Sequence, residues 1–247
     1  MADYQSILAY DGTEFAGFQR QRGRRTVQGE VEQALGRLGW KERSLRAAGR
    51  TDTGVHATGQ VFAFRLSWSR SVDGLTGALN AHLPSDASVL QTQEAPAGFH
   101  PRYAARWRRY RYRLVASAVR QPLRERYAWR VWPTPDFRAM QLAARALIGE
   151  HDFGGFGTAP RADGHTVRMV YRADWEQAGD ETAFVIEANA FLYRMVRRLV
   201  GALVAVGQGT ETPTSFAARI DDRADGWQGK LAPARGLCLE AVGFEDR

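Results

Sequence analysis

Apolar and polar positions along the chain alternate between two rhythms, a period of two and a period near three and a half. Tyr4 to Tyr10 reads as a strand, followed by a loop rich in glycine and arginine from Asp11 to Arg25. Thr26 is placed to cap a helix whose apolar positions Val27, Val31, Leu35 and Leu38 share one stripe. Gln60 to Leu66 alternates with Phe62, Phe64 and Leu66 on one side, so the segment Gly49 to Ala57 is a glycine-bearing loop running into a strand. Further on, Trp107 to Val115 has strand period, and Asp136 caps a helix through Met140, Ala144, Leu147 and Ile148. Arg168 to Gln177 and Ala183 to Asn189 read as strands. Phe191 to Gly207 reads as a strongly apolar helix with Val196, Leu199, Val200 and Leu203 as its buried stripe. Strands and helices thus recur in both halves, around a turn-rich connection at Pro96 to Pro101. The pattern predicts an α+β fold of two similar lobes, residues 1–104 and 105–247, each a mainly antiparallel sheet with helices packed on one face, forming a central cleft. A doubly wound sheet is the competing arrangement, weakened by the missing glycine-rich nucleotide fingerprint.

Composition narrows the setting. At 247 residues, 44% hydrophobic and 25% charged, the chain has ordinary globular proportions. Its longest apolar run, Leu199 to Val206, is too short to span a bilayer, and Met1 to Gln5 lacks the regions of a signal peptide. A cytoplasmic protein is expected. Cys238 is the only cysteine, which excludes an intramolecular disulfide and a cysteine-rich metal site; between Leu237 and Leu239 it reads as a small buried hydrophobe. The net charge of +7 points to a polyanionic partner. Lysine occurs only at Lys41 and Lys230, so nearly all the positive charge is arginine. A genome-wide arginine bias would give the same preference, so the clustering of the charge matters more than its sum.

Three features carry candidate chemistry. In the first, Gly49 and Gly54 bracket Arg50, Thr51 and Asp52. An aspartate there can hydrogen-bond its own turn, or it can be a reactive carboxylate; the loop alone leaves both open. Arg50 and His56 could bind metal or phosphate or cap the loop, but no further acid or histidine sits at metal-ligand spacing. In the second, Tyr110, Tyr112 and Leu114 share one face of a strand, while Arg109, Arg111 and Arg113 share the other. Such a strand offers bases a stacking surface and phosphates a set of counter-charges, or else it is half core and half solvated face. Arg120, Arg124, Arg126 and Arg130 extend the cationic stretch, and Arg20, Arg22, Arg24 and Arg25, with no acid among them, make a second RNA grip. In the third, Arg197 lies between core positions of a helix, where its charge must snorkel to solvent or meet a carboxylate.

Taken together these segments resemble the tRNA pseudouridine synthase A (TruA) family. The resemblance is carried by Tyr10-Asp11-Gly12, Gly17-Phe18-Gln19-Arg20, Thr26-Val27-Gln28, Gly49-Arg50-Thr51-Asp52, Gly54-Val55-His56-Ala57, Gly59-Gln60-Val61 and Leu79-Asn80-Ala81. It continues through Leu83-Pro84, Phe99-His100-Pro101-Arg102, Arg109-Tyr110-Arg111-Tyr112, His151-Asp152-Phe153, Asn189-Ala190-Phe191-Leu192, Met195-Val196-Arg197 and Gly236-Leu237, in order over almost the whole chain. Phe18 stands where the family usually has tryptophan and Thr53 where it usually has alanine. The resemblance implies isomerisation of uridine to pseudouridine in the anticodon stem-loop of tRNA, without cofactor or metal, by a homodimer with tRNA across both subunits and in the central cleft. It implies Asp52 as the nucleophile, Arg197 as its ion-pair partner, Arg50 in base flipping and Tyr110 against the target base. The chemistry suits those residue types: a carboxylate can attack and later leave, an arginine can fill a vacated stack, and a ring can hold a detached uracil. Which uridines are modified, and whether the carboxylate attacks sugar or base or removes a sugar proton, the sequence leaves open. Two other readings stay in view, a metal-dependent nuclease, which needs a second acid beside Asp52, and a non-catalytic RNA-binding protein.

Overall fold

The computed structural model describes residues 1–159, 164–179, 181–220, 222 and 226–246. Its first unit comprises Met1–Arg106 and Cys238–Glu245. Strand β1 (Ala2–Tyr10) is followed by helix α1 (Val27–Arg37), the short strand β2 (Arg46–Ala47) and the long strand β3 (His56–Leu66). Helix α2 (Val72–Asn80), strand β4 (Ala87–Glu94) and the single turn α3 (Pro101–Ala104) complete the run. β1 pairs antiparallel with β3 and with β4, which places Tyr4 opposite Phe64 with their rings stacked 5.7 Å apart.

Local chemistry explains these boundaries. The Thr26 side chain accepts a hydrogen bond from Gly29 N–H and starts α1, whose Val27, Val31 and Leu35 are buried as their spacing predicts. Leu38 falls past the last helical residue as its cap. Ser71 opens α2 in the same way, and Leu75 and Leu79, one turn apart, are its fully buried residues. β3 differs from the one-sided alternation read in the sequence: Val61 and Ala63 are buried as well as Phe62, Phe64 and Leu66, because the strand has cover on both faces. Asp3, nearly buried on β1, accepts from Arg46 on β2, Arg65 on β3 and the Gly98 N–H. The Arg46 guanidinium, then Arg65 and the Gly98 amide, outweigh burial and pull its carboxyl down to about 2.

The second unit comprises Trp107–Leu237 with Asp246 and Arg247, the last outside the described residues. Its elements run β5 (Trp107–Ala116), β6 (Trp129–Val131), α4 (Phe137–Arg145), β7 (Gly149–Asp152), β8 (Val167–Ala178) and β9 (Glu181–Ala188). They continue as α5 (Met195–Gly207) and α6 (Pro213–Arg219). The strand order is β5-β9-β8-β7, antiparallel throughout, with β6 running parallel beside β5. α4 packs on β8 and against α5 and α6. Strand β10 (Leu237–Gly243) returns the chain to the first unit, where Cys238 and Leu239 pair in parallel with His56 and Ala57 of β3. The fold is therefore α+β with mainly antiparallel strands, as the alternation predicts.

Two helix boundaries and one residue differ from the sequence reading. α4 begins at its Asp136 cap but ends at Arg145, leaving Leu147 buried and Ile148 about half exposed (48%) beyond it. α5 begins at Met195 rather than Phe191. The four residues before it are apolar enough to read as helix, yet Tyr193 bridges to Thr158 in extended pairing, and Arg194 takes a left-handed turn (φ 61°) that no helix continues through. Cys238 is only half-buried: β10 alternates, so Leu237 and Leu239 point into the core and the cysteine to the other face, 3.9 Å from the Thr58 hydroxyl.

Candidate active site

In the first unit the Asp52 loop is held by the segment that follows β1. The Tyr10 hydroxyl lies 2.8 Å from Thr51 Oγ1 in a buried pair, and Phe18 N–H donates to the Thr51 carbonyl at 3.0 Å. Gly17, at φ 87°, sits so close that a β-carbon there would lie 3.0 Å from the Thr51 carbonyl oxygen and 3.2 Å from Thr53 N. Gly12 is tighter still, since its β-carbon would lie 2.0 Å from the Val55 carbonyl oxygen. The loop closes on itself with Val55 N–H donating to the Asp52 carbonyl at 3.1 Å, across Gly54 at φ 77°. At the near end, Gln60 Nε2 donates to the Gly49 carbonyl at 3.2 Å. Asp52 is half-buried on this loop, and Arg50, two residues earlier, is exposed. The carboxylate thus rides on backbone fixed from both sides, the arrangement a reacting group needs to keep its geometry.

His56 closes the far end of the loop. Its Nδ1 accepts from Gly12 N–H at 3.0 Å and lies 3.1 Å from Asp11 Oδ1. Asp11 also accepts from the Thr13 N–H and hydroxyl. Phe18, where the family's usual residue is tryptophan, is fully buried 6.4 Å from the Tyr10 ring; Thr53 is exposed. Tyr10, Gly12 and Gly17 belong to the segments that carry the resemblance, but nothing in their spacing tells that they clamp Asp52. Only the folded turn brings them there.

The second unit places Tyr110 and Tyr112 on one face of β5. Tyr112 is fully buried, its hydroxyl donating to the Pro233 carbonyl at 2.8 Å; burial pushes that hydroxyl well above its ordinary pKa while Arg197 and Arg235 pull the other way. Gly236 lies against the same ring, where a β-carbon would come within 2.6 Å. Tyr110 is half-buried and meets Phe191 edge-on at 5.0 Å. Arg197, near the start of α5, is half-buried; its Nε donates to the Ala232 carbonyl at 2.7 Å, and Ala232 N–H donates to the Arg197 carbonyl. The segment around Ala232 to Gly236 therefore fixes both Arg197 and the Tyr112 end of β5. Asn189 joins β8 to the end of β9: its N–H donates to the Met169 carbonyl at 3.0 Å, and its Oδ1 accepts from the Met169 N–H at 3.1 Å.

The predicted cationic groups have different fates. Arg109 pairs with buried Glu187 across to β9 at 2.9 Å, Arg111 with Glu176 on β8 at 2.7 Å, and Arg113 approaches Glu181 at 3.8 Å. In the first loop Arg20 pairs with Glu32 at 2.6 Å, and Arg25 grips Asp86 with both terminal nitrogens while stacking on Phe15 at 4.2 Å. Arg22 and Arg24 are exposed. Among the described residues no group of three histidine, cysteine, aspartate or glutamate side chains gathers as metal ligands, and no helix is long and apolar enough to cross a membrane.

Comparison with known proteins now decides the family. A family model described as tRNA pseudouridine synthase matches residues 7–104 and 143–245. The chain belongs to the tRNA pseudouridine synthase family. It is 44% identical over 232 residues to tRNA pseudouridine synthase A of Halalkalibacterium halodurans, covering 93% of this chain and 88% of that one. It is 42% identical to the enzyme of that name from Geobacillus kaustophilus (97% and 93% covered) and 41% identical to that from Brevibacillus brevis (98% and 99%). Members of this family are isomerases, and the matched ranges contain the Asp52 loop and Arg197; Tyr110 falls between them.

Proposed function

We propose that this enzyme isomerises uridine to pseudouridine in the anticodon stem-loop of tRNA, with Asp52 as nucleophile and without cofactor or metal. The observation that carries the reading is the clamped Asp52 loop: a half-buried carboxylate on backbone pinned by Tyr10, Gly17 and Phe18, in a chain whose residues 7–104 and 143–245 match the synthase family. The reaction breaks the bond between N1 of uracil and the sugar, turns the base, and joins C5 to the sugar. The C5 proton leaves to solvent and N1 gains one. A nucleophilic carboxylate divides that exchange into two steps and is released in the second.

The remaining roles follow the chemistry of each side chain. Arg50, exposed beside the carboxylate, fills the stack vacated by the extruded uridine. Tyr110, its ring fixed edge-on by Phe191, stacks on the target base. Arg197, oriented by the Ala232 carbonyl, supplies the counter-charge of the carboxylate. Phosphate contact falls first to Arg22 and Arg24; Arg20, Arg25, Arg109 and Arg111 reach phosphate only as members of the ion pairs that orient them. A homodimer acting on tRNA in the cytoplasm completes the proposal.

The test is release of label from a tRNA transcript tritiated at uracil C5, in buffer free of divalent metal. Release is expected, because C5 must lose its hydrogen to join the sugar. Tight binding with no release from any tRNA supports the non-catalytic RNA-binding reading, and strand cleavage that appears when magnesium is added to a parallel sample supports the nuclease.

A further inference from the structure

One imidazole nitrogen at the end of the Asp52 loop stands between a donor and an acceptor. Nδ1 of His56, a residue 7% exposed, is 3.0 Å from Gly12 N and 3.1 Å from Asp11 Oδ1. The amide hydrogen of Gly12 points at Nδ1, so that nitrogen serves as an acceptor, which puts the proton of the neutral ring on Nε2. A protonated Nδ1 can only donate, and Asp11 is the acceptor at hand. The two hydrogen bonds exclude each other, and protonation selects between them.

We propose that His56 is a positioning residue for Asp52 that works only in its neutral form. This rests on the reading of Asp52 as the nucleophile. Neutral His56 ties Gly12 to the strand start directly after the loop, and Gly12 is packed so closely on the Val55 carbonyl that no side chain fits between the two segments. Val55 N–H in turn closes the loop on the Asp52 carbonyl. Protonation turns Nδ1 to Asp11 and leaves the buried Gly12 amide without its acceptor, which detaches the turn from the loop. Asp11 does not need that proton, because the Thr13 N–H and hydroxyl already satisfy the same oxygen. The ionisable groups on the neighbouring elements include Asp11 and exposed Glu14 on the turn, Asp52 on the loop, Tyr10 on β1, whose hydroxyl is engaged by Thr51, and on β10 Cys238, the register partner of His56, and Glu240. Asp11 Oδ1 lies within bonding distance of Nδ1.

The experiment measures label release by the full-length enzyme from pH 5 to 8.5. For the wild type, kcat should fall on the acid side as His56 gains its proton, with KM nearly constant. His56→Leu, which leaves the buried Gly12 amide unpaired, should lower kcat at pH 8 by about tenfold or more through the displaced loop. His56→Asn, whose side-chain oxygen can take the place of Nδ1 but cannot be protonated in this range, should recover most of that loss and lack the acid fall. A second measurement is independent of any variant's folding: the ¹⁵N spectrum of the wild-type ring at pH 8 should show unprotonated Nδ1. A wild-type acid fall that persists in His56→Asn, or a protonated Nδ1 at pH 8, overturns the proposal. Asp52→Asn serves as the control. If it remains active the nucleophile reading itself fails, whereas an inactive Asp52→Asn beside an unaltered His56→Asn profile removes only the role of His56.

Discussion

The Asp52 loop and strand β5 both drew attention as sequences, and they are stabilised in opposite ways. The loop is held by backbone and by absent side chains: Gly12 and Gly17 let the segment after β1 press against it, and Tyr10 and Phe18 bond to Thr51. β5 is held by register and charge: Tyr112 fills the core on one face, and on the other its arginines meet acids from β8 and β9. A carboxylate is thus kept in place in one region, while in the other a row of cations is largely neutralised. Sequence positions with charge are not the same as positions with available charge, and a turn rich in glycine is not the same as a loose one.

The comparison breaks most sharply at Gly12. A β-carbon 2.0 Å from a backbone oxygen forces the turn and the loop apart, so Gly12→Ala should remove nearly all label release and lower stability by about 3 kcal/mol or more, read by kcat and denaturant midpoint. Normal activity in that variant would show that the clamp has no part in catalysis. Tyr10→Phe leaves Thr51 Oγ1 without its buried partner and should cost about 1–3 kcal/mol of stability together with a drop in kcat. Loss of stability with unchanged kcat would separate the fold of the loop from its chemistry.

On β5 the corresponding change is Glu187→Gln. It removes the carboxylate that neutralises Arg109, and should destabilise the protein by about 1–3 kcal/mol because Arg109 is left half-buried without its charge partner. The same variant reads the role of the strand. If Arg109 touches RNA phosphate, tRNA binding should tighten and its salt dependence steepen; unchanged binding would confine Arg109 to the fold. The smallest effect belongs to the first loop. Arg22→Ala with Arg24→Ala should leave stability unchanged and reduce the slope of log affinity against log salt by about 0.7–0.9 per lost phosphate contact. An unaltered slope would place RNA elsewhere.

Much of the fold is legible where a local signal coincides with burial. Thr26 and Asp136 cap their helices as read, and Val196, Leu199, Val200 and Leu203 form the buried stripe of α5. Boundaries set by distant contacts are not legible. Phe191 to Arg194 has helical composition but is diverted by the pairing of Tyr193 with Thr158 and by the edge contact of Phe191 with Tyr110. α2 carries two glycines and a short apolar spacing, so its only local signals are Ser71 and the Leu75–Leu79 pair. β10 alternates, but a parallel strand returning from the chain's end to β3 has no local mark. The candidate site shows the same division. The Asp52 segment is recognisable by its residues, while the clamp from Tyr10, Gly12 and Gly17 lies some 40 residues away along the chain and exists only through packing.

Asp52→Asn tests the central claim most directly, because it exchanges a carboxylate for an amide of the same shape and leaves the clamp in place. Label release from C5-tritiated tRNA should fall by at least about a thousandfold, the scale of losing a covalent nucleophile, with tRNA affinity within about threefold of wild type. Release that persists within tenfold of wild type would contradict the account, and so would a loss of binding that parallels the loss of release.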